Sequence, residues 1–273
     1  MRKLRVLYVS QEITPYLSQG PIADICRYLP QGIQERGKEI RTFMPRFGVV
    51  NERRNQLHEV IRLSGMNLII GENDHPLIIK VASIQNARMQ VYFIDNEEYF
   101  QRKFVFRDGK EKFYKDNEDR MLFFCRGVME TVKKLGWAPD IIHCHGWMTS
   151  LIPLYVKTSY KDHPLFRSSK VVYSVYDHDL DEELSDAFAK KIRMDGISTD
   201  DLKLYKDASI VNLNIAAMQK SDAIIRVSEN IAPQMEKHLL KTSKRVLNHD
   251  ENYIETYSEF YDELMEEESV FAN

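Results

Sequence analysis

Two histidines stand two residues apart in His143-Cys144-His145-Gly146-Trp147-Met148-Thr149. On an extended backbone that spacing puts both imidazoles on one face and Cys144 on the other. Such a pair can bind a metal, pass a proton or hydrogen-bond a ligand. No third ligand stands at a regular metal-site spacing, so no metal is assigned, and a hydrogen-bonded pair is the expected state. The opposite facing also argues against a Cys-His nucleophile. Ahead of an apolar periodic segment lie Ser18, Gln19, Gly20, Pro21 and Asp24. A glycine loop entering a helix can present amides to an anion. Pro21 has no N–H to give and suits the first helical turn, where Asp24 is favourable to the helix dipole. In Ser174-Val175-Tyr176-Asp177, the Tyr176 hydroxyl can donate to a ligand hydroxyl. Asp177, His178, Asp179, Asp181, Glu182 and Glu183 follow no cation-loop spacing and read as a solvated acidic loop.

These residues need a frame. Residues 3–10 read as a first strand, and Ile22, Ile25, Cys26, Leu29 and Ile33 recur at helical spacing before Gly37. Strands are expected at 40–44, 68–70, 77–82, 89–94, 141–144, 170–176 and 223–227, with 68–70 and 77–82 joined as a hairpin. Asp116 or Asn117 can cap a helix carrying Met121, Phe124, Cys125, Val128, Val132 and Leu135. A short helix is expected from Thr149, a surface excursion over 177–201, and helices over 202–220 and 231–240. Strands alternating with helices predict an α/β fold: one doubly wound, mainly parallel sheet over residues 1–249. Residues 250–273 are a separate acidic segment. There Tyr253, Tyr257, Phe260, Tyr261, Leu264 and Met265 share one helical face, so an amphipathic C-terminal helix folded back on the domain is expected.

The chain has 273 residues, 43% hydrophobic and 29% charged, with a net charge of −3. That mix excludes disordered and fibrous classes. Residues 250–273 carry no Lys or Arg, and the remainder is mildly basic. The excess is too scattered to predict a nucleic-acid partner. No apolar run can span a bilayer, and the basic start at Met1 leads into a run too brief for a signal peptide, so no membrane partner is expected. Cys26, Cys125 and Cys144 are far apart and odd in number, which favours a reducing, cytoplasmic setting over a disulfide framework.

Several segments together carry a family resemblance. They are residues 6–16 (VLYVSQEITPY), Met44-Pro45-Arg46-Phe47-Gly48, Val91-Tyr92-Phe93-Ile94-Asp95-Asn96, residues 133–145 (KKLGWAPDIIHCH), and Ser221-Asp222-Ala223 with Val227-Ser228. In that order they resemble the N-terminal, acceptor-side catalytic domain of bacterial glycogen synthases and plant starch synthases. The resemblance implies a single Rossmann-like domain, half of a GT-B glycosyltransferase. It also implies an inherited reaction: retaining transfer of glucose from ADP-glucose to the non-reducing end of an α-1,4-glucan.

The family's Lys-Thr-Gly-Gly-Leu-Gly-Asp loop falls on residues 18–24, leaving Ser18 for the lysine and Pro21 for the second glycine. Its His-x-His-Asp-Trp-His-Thr motif falls on 143–149, with Gly146 for the acid and Met148 for the last histidine. Its Thr-Ile-His-Asn falls on 174–177. The resemblance thus implies a substrate site kept in degraded form at Ser18, Gly20, Asp24, His143, His145, Trp147, Thr149 and Tyr176, with no catalytic residue assigned and no cofactor. The expected function is a member of glucan metabolism inactive as an isolated chain. The alternative is a non-catalytic glucan-binding or regulatory, oligomerising module. An α-glucan, a separate donor-domain protein or a second copy are the partners this allows. The terminal helix resembles the one that crosses from the second domain back to the first, with polar residues 241–252 as the joint left by a lost domain.

Overall fold

The computed structural model describes residues 2–17, 20–177 and 182–271. Strand β1 (Arg5–Ser10) leads through a loop to helix α1 (Pro21–Glu35) and strand β2 (Glu39–Pro45). Then come β3 (His58–Glu59), β4 (Met66–Ile70), β5 (Asn73–Ile84), β6 (Met89–Asp95), α2 (Glu97–Phe100) and α3 (Asn117–Leu135). The second half runs β7 (Ile141–His145), α4 (Ile152–Lys157), β8 (Lys170–Val175), α5 (Phe188–Lys191), α6 (Thr199–Lys203), α7 (Ile210–Lys220), β9 (Ala223–Arg226), α8 (Pro233–Leu239), β10 (Arg245–Asn248) and α9 (Tyr253–Phe271).

The sheet order is β10-β9-β8-β7-β1-β2-β6-β5-β3, with β4 on a further stretch of β5. From β10 to β6 every pairing is parallel; β3, β4 and β6 pair antiparallel with β5. This is the mainly parallel α/β sheet that the alternation of elements predicts. Strands β1, β7 and β8 are buried along nearly their whole length, as strands covered by helices on both faces must be. The chain winds outward from β1 in one direction and from β7 in the other. The carboxyl ends of β1 and β7 therefore form the switch point where ligands settle in such sheets.

Helix α1 buries Ile22, Ile25, Cys26, Leu29 and Ile33 against the sheet. Its Gly32 admits α9: a methyl group at that position would lie 2.3 Å from Ile254 Cγ2. Tyr257, Phe260, Tyr261 and Leu264 of α9 are buried, and its acids include Asp262 paired with Lys38 and Glu263 paired with Arg245.

Three local expectations are corrected. Residues 202–220 are not one helix. Ser198 and Asp201 form a capping box at the start of α6, and Ser209 caps α7 by accepting from Asn212 N. Two caps within a dozen residues split the segment. Polar residues 241–252 are not a mere joint but contain β10, an edge strand parallel to β9. An edge strand tolerates polar residues, which hid it. Asp116 stands at the start of α3 without capping it, because its carboxylate receives both guanidinium nitrogens of Arg102.

Candidate functional site

At the switch point Ser10 stands beside His145 in the β1–β7 register and Tyr8 beside His143. The two imidazoles share one strand face, ring centroids 3.9 Å apart, and both are fully buried. The hydroxyl of Tyr261 lies 2.6 Å from His143 Nδ1, and Ser174 Oγ lies 2.7 Å from Nε2. Tyr8 OH donates to Tyr261 OH across 3.4 Å. One consistent proton order is Tyr8 to Tyr261, Tyr261 to Nδ1, and Nε2–H to Ser174. His145 Nδ1 lies 2.8 Å from Tyr176 OH, while its Nε2 is buried with no hydrogen-bond partner. Among the described residues no group of three His, Cys, Asp or Glu side chains could hold a metal ion.

Burial sets the charge of this cluster. It pushes His145 down to about 3 and His143 well below the ordinary imidazole value, with His145 adding to the shift at His143. Burial also pushes Tyr8, Tyr176 and Tyr261 upward. At neutral pH the cluster is uncharged, and its hydrogen bonds tie the sheet to α9 rather than to an open cavity.

The rest of the motif is packed as tightly. Trp147 is fully buried against Phe106 and Phe113, with ring centroids at 5.0 and 6.0 Å. Met148 is fully buried, and its carbonyl accepts from the Cys125 thiol at 3.1 Å. Thr149 Oγ1 donates to Gly146 O at 2.7 Å, closing the turn after β7. Tyr176 is fully buried, so neither it nor Trp147 presents a ring face to solvent. Gly146 has φ +87°, a left-handed conformation suited to glycine, and Gln11 covers it. Gln11 N donates to His145 O, while Gln11 Oε1 and Trp147 Nε1 are buried without partners.

The structure thus brings His143, His145 and Tyr176 into one cluster and sets Trp147 and Thr149 in the turn behind it. Gly20 takes the position before α1 and Pro21 its first turn, with no side-chain cap. Asp24 is exposed and accepts from Thr14 Oγ1 at 3.0 Å. Ser18 lies outside the described residues, as do His178, Asp179 and Asp181 of the acidic run.

Sequence reasoning missed Tyr8, Gln11 and the role of Tyr261. It also missed a cleft of about 290 Å³ at the carboxyl ends of β9 and β10, lined by Arg226, Ser228, Glu229, Asn248 and His249. Ser228 Oγ accepts there from Asp177 N at 2.9 Å, and His249 Nδ1 meets Tyr257 OH at 2.8 Å. Only Ser228 carried a signal, through its place in the quoted motif. Asn248 and His249 depend on β10.

The family description "Starch synthase catalytic domain" matches residues 5–245. The glycogen synthase of Chlorobium luteolum is 36% identical over 231 residues, 84% of this chain and 46% of that protein. The glycogen synthase of Pelodictyon phaeoclathratiforme is 42% identical over 178 residues, 64% of this chain and 36% of that protein. The chain spans about half the length, or less, of the curated relatives it matches. Among solved structures, the catalytic domain of starch synthase IV from Arabidopsis thaliana, bound to ADP and acarbose, overlays with a TM-score of 0.72 at 19% identity. That overlay covers 90% of this chain and 51% of the other, a likeness of fold. No helix among the described residues is long and apolar enough to cross a membrane.

Proposed function

The chain belongs to the starch synthase catalytic domain family, and from that premise we propose that it serves α-1,4-glucan metabolism as a glucan-contacting domain that does not itself transfer glucose. The observation that carries this reading is the closed switch point. Both imidazoles are buried and neutral: Tyr261 and Ser174 occupy both nitrogens of His143, Tyr176 occupies Nδ1 of His145, and the remaining Nε2 of His145 is closed off from solvent. A general acid or base must reach the proton it moves, and neither histidine has that reach. Met148, at the motif's last histidine, cannot exchange a proton. Pro21 removes one of the amides that a helix N-terminus offers a diphosphate. In the family's chemistry the clamp on the departing diphosphate and the groups beside the sugar supply much of the rate.

Glucan contact is supported by the cleft at the ends of β9 and β10. Its guanidinium, hydroxyl, carboxylate, amide and imidazole groups form the mixed donor and acceptor set that sugar hydroxyls require. The test incubates the 273-residue chain with radiolabelled ADP-glucose and glycogen, then titrates it with maltoheptaose and with ADP by calorimetry. The expected results are no incorporation, weak maltoheptaose binding of about millimolar Kd that Asn248→Ala weakens, and no ADP binding. Robust turnover lost in a folded His145→Gln variant, or tight ADP binding, would overturn the reading.

A further inference from the structure

A second cleft lies at the opposite end of the sheet, where β2 and β6 begin. It measures about 330 Å³, and its polar lining is Gln34, Arg41, Ser83, Arg88, Gln90 and Tyr92. No carboxylate lines it. Arg41 is held in place: its Nη1 donates to Tyr92 OH at 2.8 Å, and its guanidinium carbon sits 5.6 Å from the Tyr92 ring centroid and 5.8 Å from that of Trp137. Its Nε is buried and has no hydrogen-bond partner. Arg88 is exposed at the mouth, on a left-handed residue that ends a short turn. Neither arginine pairs with a carboxylate among the described residues, although Arg5, one strand over from Arg41, has Glu39.

Two guanidiniums that line one cavity with no carboxylate beside them repel each other. One dianion would answer both, and the planar fork of arginine fits phosphate oxygens. The side-chain amides of Gln34 and Gln90 and the Ser83 hydroxyl then remain for a small polar body attached to that phosphate. We propose that this cleft binds the phosphate group of a small phosphorylated molecule, with Arg41 as the fixed contact and Arg88 as the closing one. The site is separate from the switch point and does not depend on the glucan reading.

The test titrates the 273-residue chain with inorganic phosphate and with glycerol 3-phosphate by calorimetry, at constant ionic strength set with sodium nitrate, and repeats it with acetate. Saturable phosphate binding with a Kd of about 1 mM is expected, tighter for glycerol 3-phosphate and absent for acetate. Arg88→Gln, a change at an exposed side chain, should weaken phosphate about tenfold without altering the melting temperature measured in the absence of phosphate. Arg41→Lys keeps the charge but loses the fork, and should weaken binding similarly. Should Arg41→Lys fail to fold, Arg88→Gln decides alone. No saturation by about 50 mM, acetate binding as well as phosphate, or unchanged affinity in Arg88→Gln would each refute the site.

Discussion

The side chain of Gln11 lies flat over Gly146, so that a methyl group at residue 146 would stand 2.3 Å from Gln11 Oε1 and 2.7 Å from its Cγ. Gly146 also has φ +87°. The aspartate that the resemblance expects at this position therefore meets both a steric and a conformational barrier. Gly146→Ala should cost about 1–3 kcal/mol for a backbone region that only glycine adopts readily and about 1–3 kcal/mol for overpacking. Gln11→Ala should relieve the second part and leave the first. Urea denaturation of the two single variants and the double variant measures this. A neutral Gly146→Ala would show that the contact does not exist in solution.

Helix α9 is predicted to be an integral part of the core. Tyr261 reaches His143 and Tyr8 from it, and Tyr257, Phe260 and Leu264 are buried beside it. Tyr261→Phe should cost about 1–3 kcal/mol, because His143 Nδ1 loses its partner in a site water does not reach. Ending the chain at residue 252 removes four buried side chains worth about 1.5–3 kcal/mol each. That change should abolish cooperative unfolding and expose dye-binding apolar surface. Hydrogen exchange checks the intact chain. Amides of 257–265 as labile as those of an unstructured tail would refute the packing.

What the sequence made legible follows its physics. The apolar runs of β1, β7 and β8 announce buried parallel strands, and the spacing of Ile22, Ile25, Leu29 and Ile33 announces α1. The i, i+2 spacing of His143 and His145 put both rings on one face, where the structure has them. Tyr261, the partner of His143, lies 118 residues further on. The tail's periodicity could say which face is apolar, but not what that face meets. Strand β10 was missed because an edge strand needs no apolar alternation. Trp147 and Tyr176 carry the types that stack on sugars, and only the packing of Phe106, Phe113 and α9 around them sets their burial. Gln11 stands in the first segment of the resemblance, but its role could not be read there because it exists only through the backbone of Gly146.

A charged cluster at the ends of β2 and β6 yields a third prediction. Asp95 is fully buried, with Lys80 Nζ at 2.8 Å and Arg46 Nε at 3.8 Å. The contact with Lys80 is close in charge, though neither Asp95 oxygen accepts a well-aligned hydrogen bond. Glu52 binds the same two cations from the solvent side. Burial pushes the Asp95 carboxyl up, and Lys80 and Arg46 oppose it. Lys80→Met removes the nearest cation and should cost about 3–5 kcal/mol, since a buried charge is left behind. Adding Asp95→Asn should restore most of that loss. Equal stability of Lys80→Met and the parent would mean that the carboxylate reaches water.

The last prediction concerns acid. His143 and His145 both titrate below the ordinary value of 6.5 in the folded chain, because burial disfavours the imidazolium. Unfolding releases them to water, so below pH about 6.5 the unfolded chain binds more protons than the folded one. The stability they contribute is complete above that pH and is lost as pH falls toward the folded value, about 3 for His145. Each should steepen the loss by up to about 1.4 kcal/mol per pH unit. His238 and His249 are also shifted downward by burial and act in the same direction. Between pH about 6.5 and 5 most carboxylates remain ionised, so the histidines dominate that window. Urea denaturation across it should show stability falling with pH, and His145→Gln should reduce the slope by close to one proton. A flat profile from pH about 7 to 5, or a slope unchanged in His145→Gln, would mean that the imidazoles are already open to solvent in the folded chain.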